Sequence, residues 1–208
     1  MFRDRVDAGQ QLAQKLRLYK DNKNVVVLAI PRGGLPLGAV IAKALNAPLD
    51  VVLSKKIAHP NNKEFAIGAV SLNNIVLDDN TKISIGYIEE ETKNLRAKLK
   101  NRQKLYFKNR SPIALKHKIV IIIDDGIATG NTIRVTAQLV YSQKPEKIVI
   151  AVPVAPKSSV QKLQTPTYID DVVCLETPFN FQAVGQFYMN FDQVSDAEAI
   201  RILDEFHA

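Results

Sequence analysis

The chain has 208 residues, 46% hydrophobic and 24% charged, which is ordinary for a globular protein and ample for one core, so a single domain over 1–208 is expected. The formal net charge of +7 suits an anionic partner, either a phosphorylated small molecule or a nucleic acid. One cysteine, Cys174, excludes an internal disulfide, and in the run Val172-Val173-Cys174-Leu175 it reads as a core residue of a cytoplasmic protein. No apolar run reaches membrane-spanning length, and the charged start Met1-Phe2-Arg3-Asp4-Arg5 lacks the apolar stretch of a secretory signal.

In chain order, apolar Val6, Ala8, Leu12, Ala13 and Leu16 predict an amphipathic helix over 5–18. Residues 25–30 are continuously apolar, as in a strand covered on both faces. Pro31-Arg32-Gly33-Gly34 breaks that run, and 35–45 reads as a helix. A second buried strand is expected over 49–53 and a polar loop over 54–63. A short hairpin over 65–77 would turn at Asn73-Asn74.

A long helical insertion follows near 86–110. It opens on Glu89-Glu90-Glu91 and ends rich in Lys and Arg, complementing the helix dipole at both ends. Its stripe of Ile88, Leu95, Leu99, Leu105 and Tyr106 would pack on the domain or on a dimer partner. The basic face reads as a solvated surface, with nucleic-acid binding as the sharper alternative. Strands over 119–123, 147–154 and 172–175, a helix over 133–141, and a closing helix over 195–206 complete the pattern. Ser195 and Glu198 have capping-box spacing.

Strands alternating with helices predict an α/β fold, a doubly wound parallel sheet flanked by helices. Ligands of such sheets bind at the carboxyl ends of the strands. Three segments lie there: 31–34, 54–64 and 124–132.

The third segment carries the most chemistry. Val120-Ile121-Ile122-Ile123 runs into Asp124-Asp125, then Gly126-Ile127-Ala128-Thr129-Gly130-Asn131-Thr132. Adjacent carboxylates at a strand end are costly unless something neutralises or hydrogen-bonds them, and a cis-diol, with or without a divalent cation, would do so. The small turn can wrap an anion with amides at a helix start, aided by the hydroxyls of Thr129 and Thr132. Gly130 permits close backbone approach. A strand ending in Asp-Asp also occurs in P-loop nucleotidases, but no G-x-x-x-x-G-K-[ST] element is present, and Gly33, Gly34 and Gly38 do not fit G-x-G-x-x-G.

The segment 120–132 resembles the 5-phosphoribosyl-1-diphosphate (PRPP) signature of the type I phosphoribosyltransferases. The resemblance implies that Asp124 and Asp125 bind the ribose hydroxyls, that Ala128, Thr129, Gly130, Asn131 and Thr132 cradle the 5-phosphate, and that Gly126 also lies at the substrate. Pro31-Arg32-Gly33-Gly34 falls where that family has its diphosphate loop, in which members often hold a non-proline cis peptide, and Arg32 would face the diphosphate. Lys55 and Lys56 match the family's basic pair after the second core strand. Residues 59–68 resemble its flexible lid. Phe179, Phe181 and Val184 lie in the region of a small C-terminal hood, where the family forms its base pocket.

By the same resemblance the reaction moves the phosphoribosyl group from PRPP to a nucleobase or related nitrogen nucleophile, as in nucleotide salvage. Asp124, Asp125, Arg32 and Lys56 would be central. Mg²⁺ would be carried mainly by PRPP, with Asp124 and Asp125 as its protein contacts, and a homodimer is implied. Hypoxanthine–guanine members carry an aspartate where this chain has Ala128. The base-side acid or base is therefore open, with His59 and Glu64 as candidates from the lid. A regulator that senses PRPP or nucleotide and binds RNA or DNA is the alternative built on the same fold. The Pro-Arg-Gly-Gly loop and the phenylalanine-rich C-terminus resemble a less characterised bacterial and archaeal branch of the family.

Overall fold

The computed structural model describes residues 1–77, 83–108 and 110–207, apart from the side chains of 63–65. Its centre is a five-stranded sheet built from β1 (Val25–Ala29), β2 (Leu49–Val51), β6 (Ile119–Ile123), β7 (Lys147–Val154) and β8 (Asp171–Glu176), in the order β2-β1-β6-β7-β8. Every pairing in it is parallel. The chain steps from β1 to β2 on one side and later returns to place β6 on the other. The carboxyl ends of β1 and β6 therefore flank the reversal point where doubly wound sheets open a crevice.

Period-2 alternation divides the core into two layers. Val25, Val27, Ala29, Ile121 and Ile123 face α1 (Arg5–Lys15), α2 (Gly34–Leu45) and α6 (Asp196–His207). Val26, Leu28, Val120 and Ile122 face α4 (Asn131–Tyr141) and α5 (Lys157–Gln164). Burial of each such Val or Ile contributes about 1.5–3 kcal/mol. Because both faces are covered, the strands read as unbroken apolar runs rather than alternating ones.

Residues 54–63 are not a loop. Lys55–His59 (β3) and Asn62–Val70 (β4) form an antiparallel hairpin, and Ile75–Leu77 (β5) adds a third strand. Only Ile57 of β3 is fully buried, so its sequence lacks a strand's apolar alternation. The expected turn at Asn73-Asn74 does join β4 to β5, closed by the Ser71 amide on the Asn74 carbonyl at 2.9 Å.

The long helix α3 (Ile85–Phe107) starts at Ser84, whose hydroxyl accepts from the Tyr87 amide. Leu95, Leu99 and Tyr106 are buried in the chain's own core, together with Phe107, so the stripe is not held back for a partner subunit. Leu105 lies off that face and is 47% exposed. Tyr87 donates to the Ala58 carbonyl at 2.9 Å and Arg96 to that of Ser71, tying α3 to the small sheet. At α6 the expected cap forms, with Ser195 Oγ accepting from the Glu198 amide at 3.1 Å. Among the described residues, no helix is long and apolar enough to cross a membrane.

Candidate active site between the first and sixth strands

Beyond β6 the chain turns sharply into α4. Gly130 has φ 77°, a left-handed conformation that disfavours side chains, and its carbonyl accepts the Arg134 amide to begin the helix. The Asn131 amide reaches Thr129 Oγ1 at 3.5 Å. Ser159 of α5, a buried hydroxyl, donates to the Ala128 carbonyl at 2.7 Å and pins the turn from outside. Thr129 and Thr132 are exposed at the amino end of α4. A turn fixed from behind with amides and hydroxyls in front is a ready phosphate seat.

The loop after β1 leans directly on this turn. The Ile30 amide donates to the Ile123 carbonyl at 2.8 Å, and the Gly34 amide to the Ile30 carbonyl at 3.1 Å. A side chain at Gly34 would sit 2.6 Å from the Ile123 carbonyl, and one at Gly33 would collide with the Asp125 carboxylate. The two glycines thus let the loop and the acidic pair close on each other. The Pro31–Arg32 peptide is cis, as members of the resembling family often have.

The acidic pair is asymmetric. Asp125 Oδ2 accepts from Arg5 Nε at 2.9 Å and lies 2.8 Å from Arg5 Nη2, with both side chains largely buried. Arg5 also donates to the Asp192 carbonyl at 2.7 Å and lies 4.0 Å over the Phe191 ring. Tyr188 donates to the Asp125 carbonyl oxygen at 2.6 Å, and burial, then the Asp125 charge, hold its hydroxyl well above the usual phenol range. Asp124 accepts the Asp125 amide at 2.9 Å, yet burial and then the neighbouring Asp125 charge push its carboxyl well above the usual carboxylate range. One carboxylate is thus neutralised by a cation, and the other is left to hold a proton or find a hydroxyl.

Lys55 and Lys56, expected in a loop, project instead from the start of β3 and are half-buried. They share a cavity of about 250 Å³ with Pro31, Ser54, Thr132 and, from α3, Arg102. Burial, then Arg102 and Lys98, lower the Lys55 pKa. Arg32 does not line that space. It approaches Asp196 of α6 at 3.8 Å, and Tyr106 donates to the same carboxylate oxygen at 2.6 Å. Burial and then that hydrogen bond push the Tyr106 hydroxyl up to about 12.

The three hood residues have different surroundings. Val184 packs against Gly126, leaving no room there for a side chain. Phe181 stacks on Phe187 at 5.4 Å, and Phe179 stands fully in solvent. His59 caps its own turn, with Nδ1 accepting the Asn61 amide at 3.2 Å. The Glu64 side chain lies outside the described residues. Among the described residues, no cluster of three or more His, Cys, Asp and Glu side chains could hold a metal. A divalent cation would find at most Asp124 and Asp125, with one Asp125 oxygen already committed to Arg5. That donor set fits an ion held mainly by phosphate and water.

Arg5 and Tyr188 drew no notice in the sequence, and Arg102 read there only as part of the basic face of the long helix, with Lys98, Lys100 and Lys104. Arg5 meets its carboxylate across 120 residues and Tyr188 meets its acceptor across 63, so no local pattern signals either contact. Arg102 sits in a Lys/Arg-rich helix whose charges read collectively as a solvent face.

The phosphoribosyl transferase domain family matches residues 3–191. The Mycobacterium tuberculosis protein Rv0571c, provisionally named a phosphoribosyl transferase, is 40% identical over 212 aligned residues. That alignment takes in all of this chain and 47% of the relative. The chain thus spans about half the length of the curated relatives it matches. The crystal structure of TT1426 from Thermus thermophilus superposes with a TM-score of 0.92 at 36% identity, covering 99% of this chain and 98% of that one. A hypothetical protein from Neisseria gonorrhoeae, solved with bound ppGpp, shares the fold at a TM-score of 0.52 and 13% identity, over 99% of this chain and 98% of that one.

Proposed function

Since the chain belongs to the phosphoribosyl transferase family, we propose that it is an enzyme that transfers the 5-phosphoribosyl group of PRPP to a nucleobase or related nitrogen nucleophile, releasing diphosphate. The observation that carries this reading is the contact between two loops on adjacent strands. An acidic pair and phosphate-sized turn after β6 close on the Pro31–Gly34 loop after β1. A ribose held between them by its hydroxyls would direct its 5-phosphate to the turn and its C1 diphosphate toward β1 and β3.

In the reaction the bond from C1 to the diphosphate oxygen breaks, and the electron pair leaves with diphosphate. A bond from nitrogen to C1 forms, and the nitrogen gives up a proton. Positive charge builds on the ribose ring in between, so the Asp124 and Asp125 carboxyl groups beside the sugar would favour the transition state. The residues at 126–132 would hold the 5-phosphate by amides and hydroxyls, fixing C1 in place. Lys55 and Lys56 would offset charge on the departing diphosphate. The magnesium ion, when present, would arrive with PRPP and neutralise its phosphate oxygens, with Asp124 and Asp125 as the protein groups in reach. A cytoplasmic setting and a homodimer belong to the same proposal.

The test has two stages. PRPP with Mg²⁺ should raise the melting temperature of the protein, and replacing both carboxylates (Asp124→Asn with Asp125→Asn) should abolish that shift. An undiminished shift in the double variant refutes the ribose assignment. A panel of nucleobases and amines, read by diphosphate release from PRPP, then identifies the acceptor. If every acceptor fails, the transferase reading is refuted.

A further inference from the structure

The guanidinium expected at the diphosphate is that of Arg32, from the loop after β1. In the structure that guanidinium turns toward α6 and Asp196, and it does not line the cavity beside the loop. The cavity receives a different one. Arg102, on the fifth turn of α3, faces Lys55 and Lys56 of β3 across a space floored by Pro31 and Thr132.

Lys55 and Arg102 bring like charges into that space. Lys55 and Arg102 are close enough for the arginine to depress the lysine's pKa, and Lys98 adds to the effect from the preceding turn of α3. Among the described residues, no carboxylate oxygen lies within 4 Å of Lys55 or Arg102. Like charges converging on a partly enclosed space repel one another, and an anion with several oxygens relieves that repulsion. An arginine is the better partner for adjacent phosphoryl oxygens, because its planar fork donates to two at once where a lysine offers a point charge.

The helix is also well placed to hold the fork still. Leu99 and Tyr106, one turn either side of Arg102, are fully buried, and Tyr106 is further anchored through its hydroxyl to Asp196. A cation on such a helix is positioned by packing before any ligand arrives.

We infer that Arg102 of α3, with Lys55 and Lys56, forms the cation face for the leaving diphosphate, and that Arg32 serves α6 instead. The choice of diphosphate as the anion rests on the transferase reading above; the site itself rests on the cavity. In mechanism, Arg102 would contact the oxygens that gain charge as the C1–oxygen bond breaks. It would therefore bind both ground state and transition state, and more tightly in the latter.

Inorganic diphosphate with Mg²⁺ is the probe, titrated calorimetrically into the full chain. The expected result is a loss of affinity of about tenfold or more in Arg102→Gln, a smaller loss in Arg102→Lys, and in Arg32→Gln a loss smaller than that of Arg102→Gln. Equal affinities in wild type and Arg102→Gln, or a larger loss in Arg32→Gln, would overturn the assignment, as would failure of the wild type to bind at millimolar diphosphate. If Arg102→Gln does not fold, Arg102→Lys decides, since it keeps the charge and removes the fork; an unchanged affinity then overturns the assignment. The two readings fail separately. Diphosphate binding that depends on Arg102 in a protein that turns over no acceptor leaves this site standing without the transferase. Turnover with an unaltered PRPP dependence in Arg102→Gln leaves the transferase standing without this site.

Discussion

Replacing Gly34 by alanine tests the contact that joins the two loops. The added methyl carbon would lie 2.6 Å from the Ile123 carbonyl oxygen and 3.3 Å from the Asp124 Cα. Both are backbone, so no side-chain rotation relieves the overlap. The same Ile123 oxygen accepts the Ile30 amide at 2.8 Å, so moving it away weakens that bond as well. Overpacking of this kind costs about 1–3 kcal/mol, and the strained hydrogen bond lies within that range. For a chain of this size, the melting midpoint should fall by roughly 2–12 °C. Gly86, at the start of α3, is the control, because nothing lies within 4 Å of its added carbon. Gly86→Ala should be neutral or stabilising by up to about 1 kcal/mol. Both are read from thermal and urea melts. A Gly34→Ala midpoint equal to wild type would refute the account of why these loops close, and with it the geometry on which the ribose assignment depends.

Arg5→Gln strands a largely buried carboxylate beside Asp124, and urea unfolding should report a loss on the order of 3 kcal/mol; a loss under about 0.5 kcal/mol would mean water already screens the pair. Tyr188→Phe removes the donor on the Asp125 carbonyl and should cost about 1–3 kcal/mol, with an unchanged urea midpoint counting against the bond. Burial pushes the Cys174 thiol up to about 11 from its ordinary 9.0. At pH 8 the native thiolate should therefore be about 100-fold scarcer than in the unfolded chain, and iodoacetamide alkylation correspondingly slower. The raised value also means that stability holds below the ordinary thiol pKa and falls as pH climbs toward 11, because the unfolded chain releases the proton first. Equal alkylation rates in native and urea-unfolded protein would refute the burial argument.

The central sheet was legible because strands covered on both faces must be apolar throughout, and 25–30, 119–123 and 147–154 carry that signature unambiguously. The turn at 124–132 was legible for a related reason, since two acids and a run of small residues have few uses at a strand end. The hairpin at 55–70 was not legible. Its first strand buries one residue, and its polar side chains are spent on the cavity rather than on a core. Helix α5 escaped notice because its eight residues bury only Ser159 and Leu163. The contact of Arg32 with Asp196, 164 positions away in sequence, is one that no spacing rule could reveal.

The Arg5 contacts have a consequence for the order in which the chain becomes functional during synthesis. Residues 2 and 3 form short backbone bonds with 187, 189 and 190, and Arg5 joins Asp125 to Asp192. The counter-cation of the acidic pair is thus translated long before its carboxylate, and longer still before the segment that clamps it. A nascent chain halted after α5 would have its sheet nearly built, yet the pair would lack the Asp192 carbonyl, the Phe191 ring and the Tyr188 hydroxyl that secure it. The site is consequently completed only once residues 187–192 have been made, when two segments far apart in sequence close over the same aspartate.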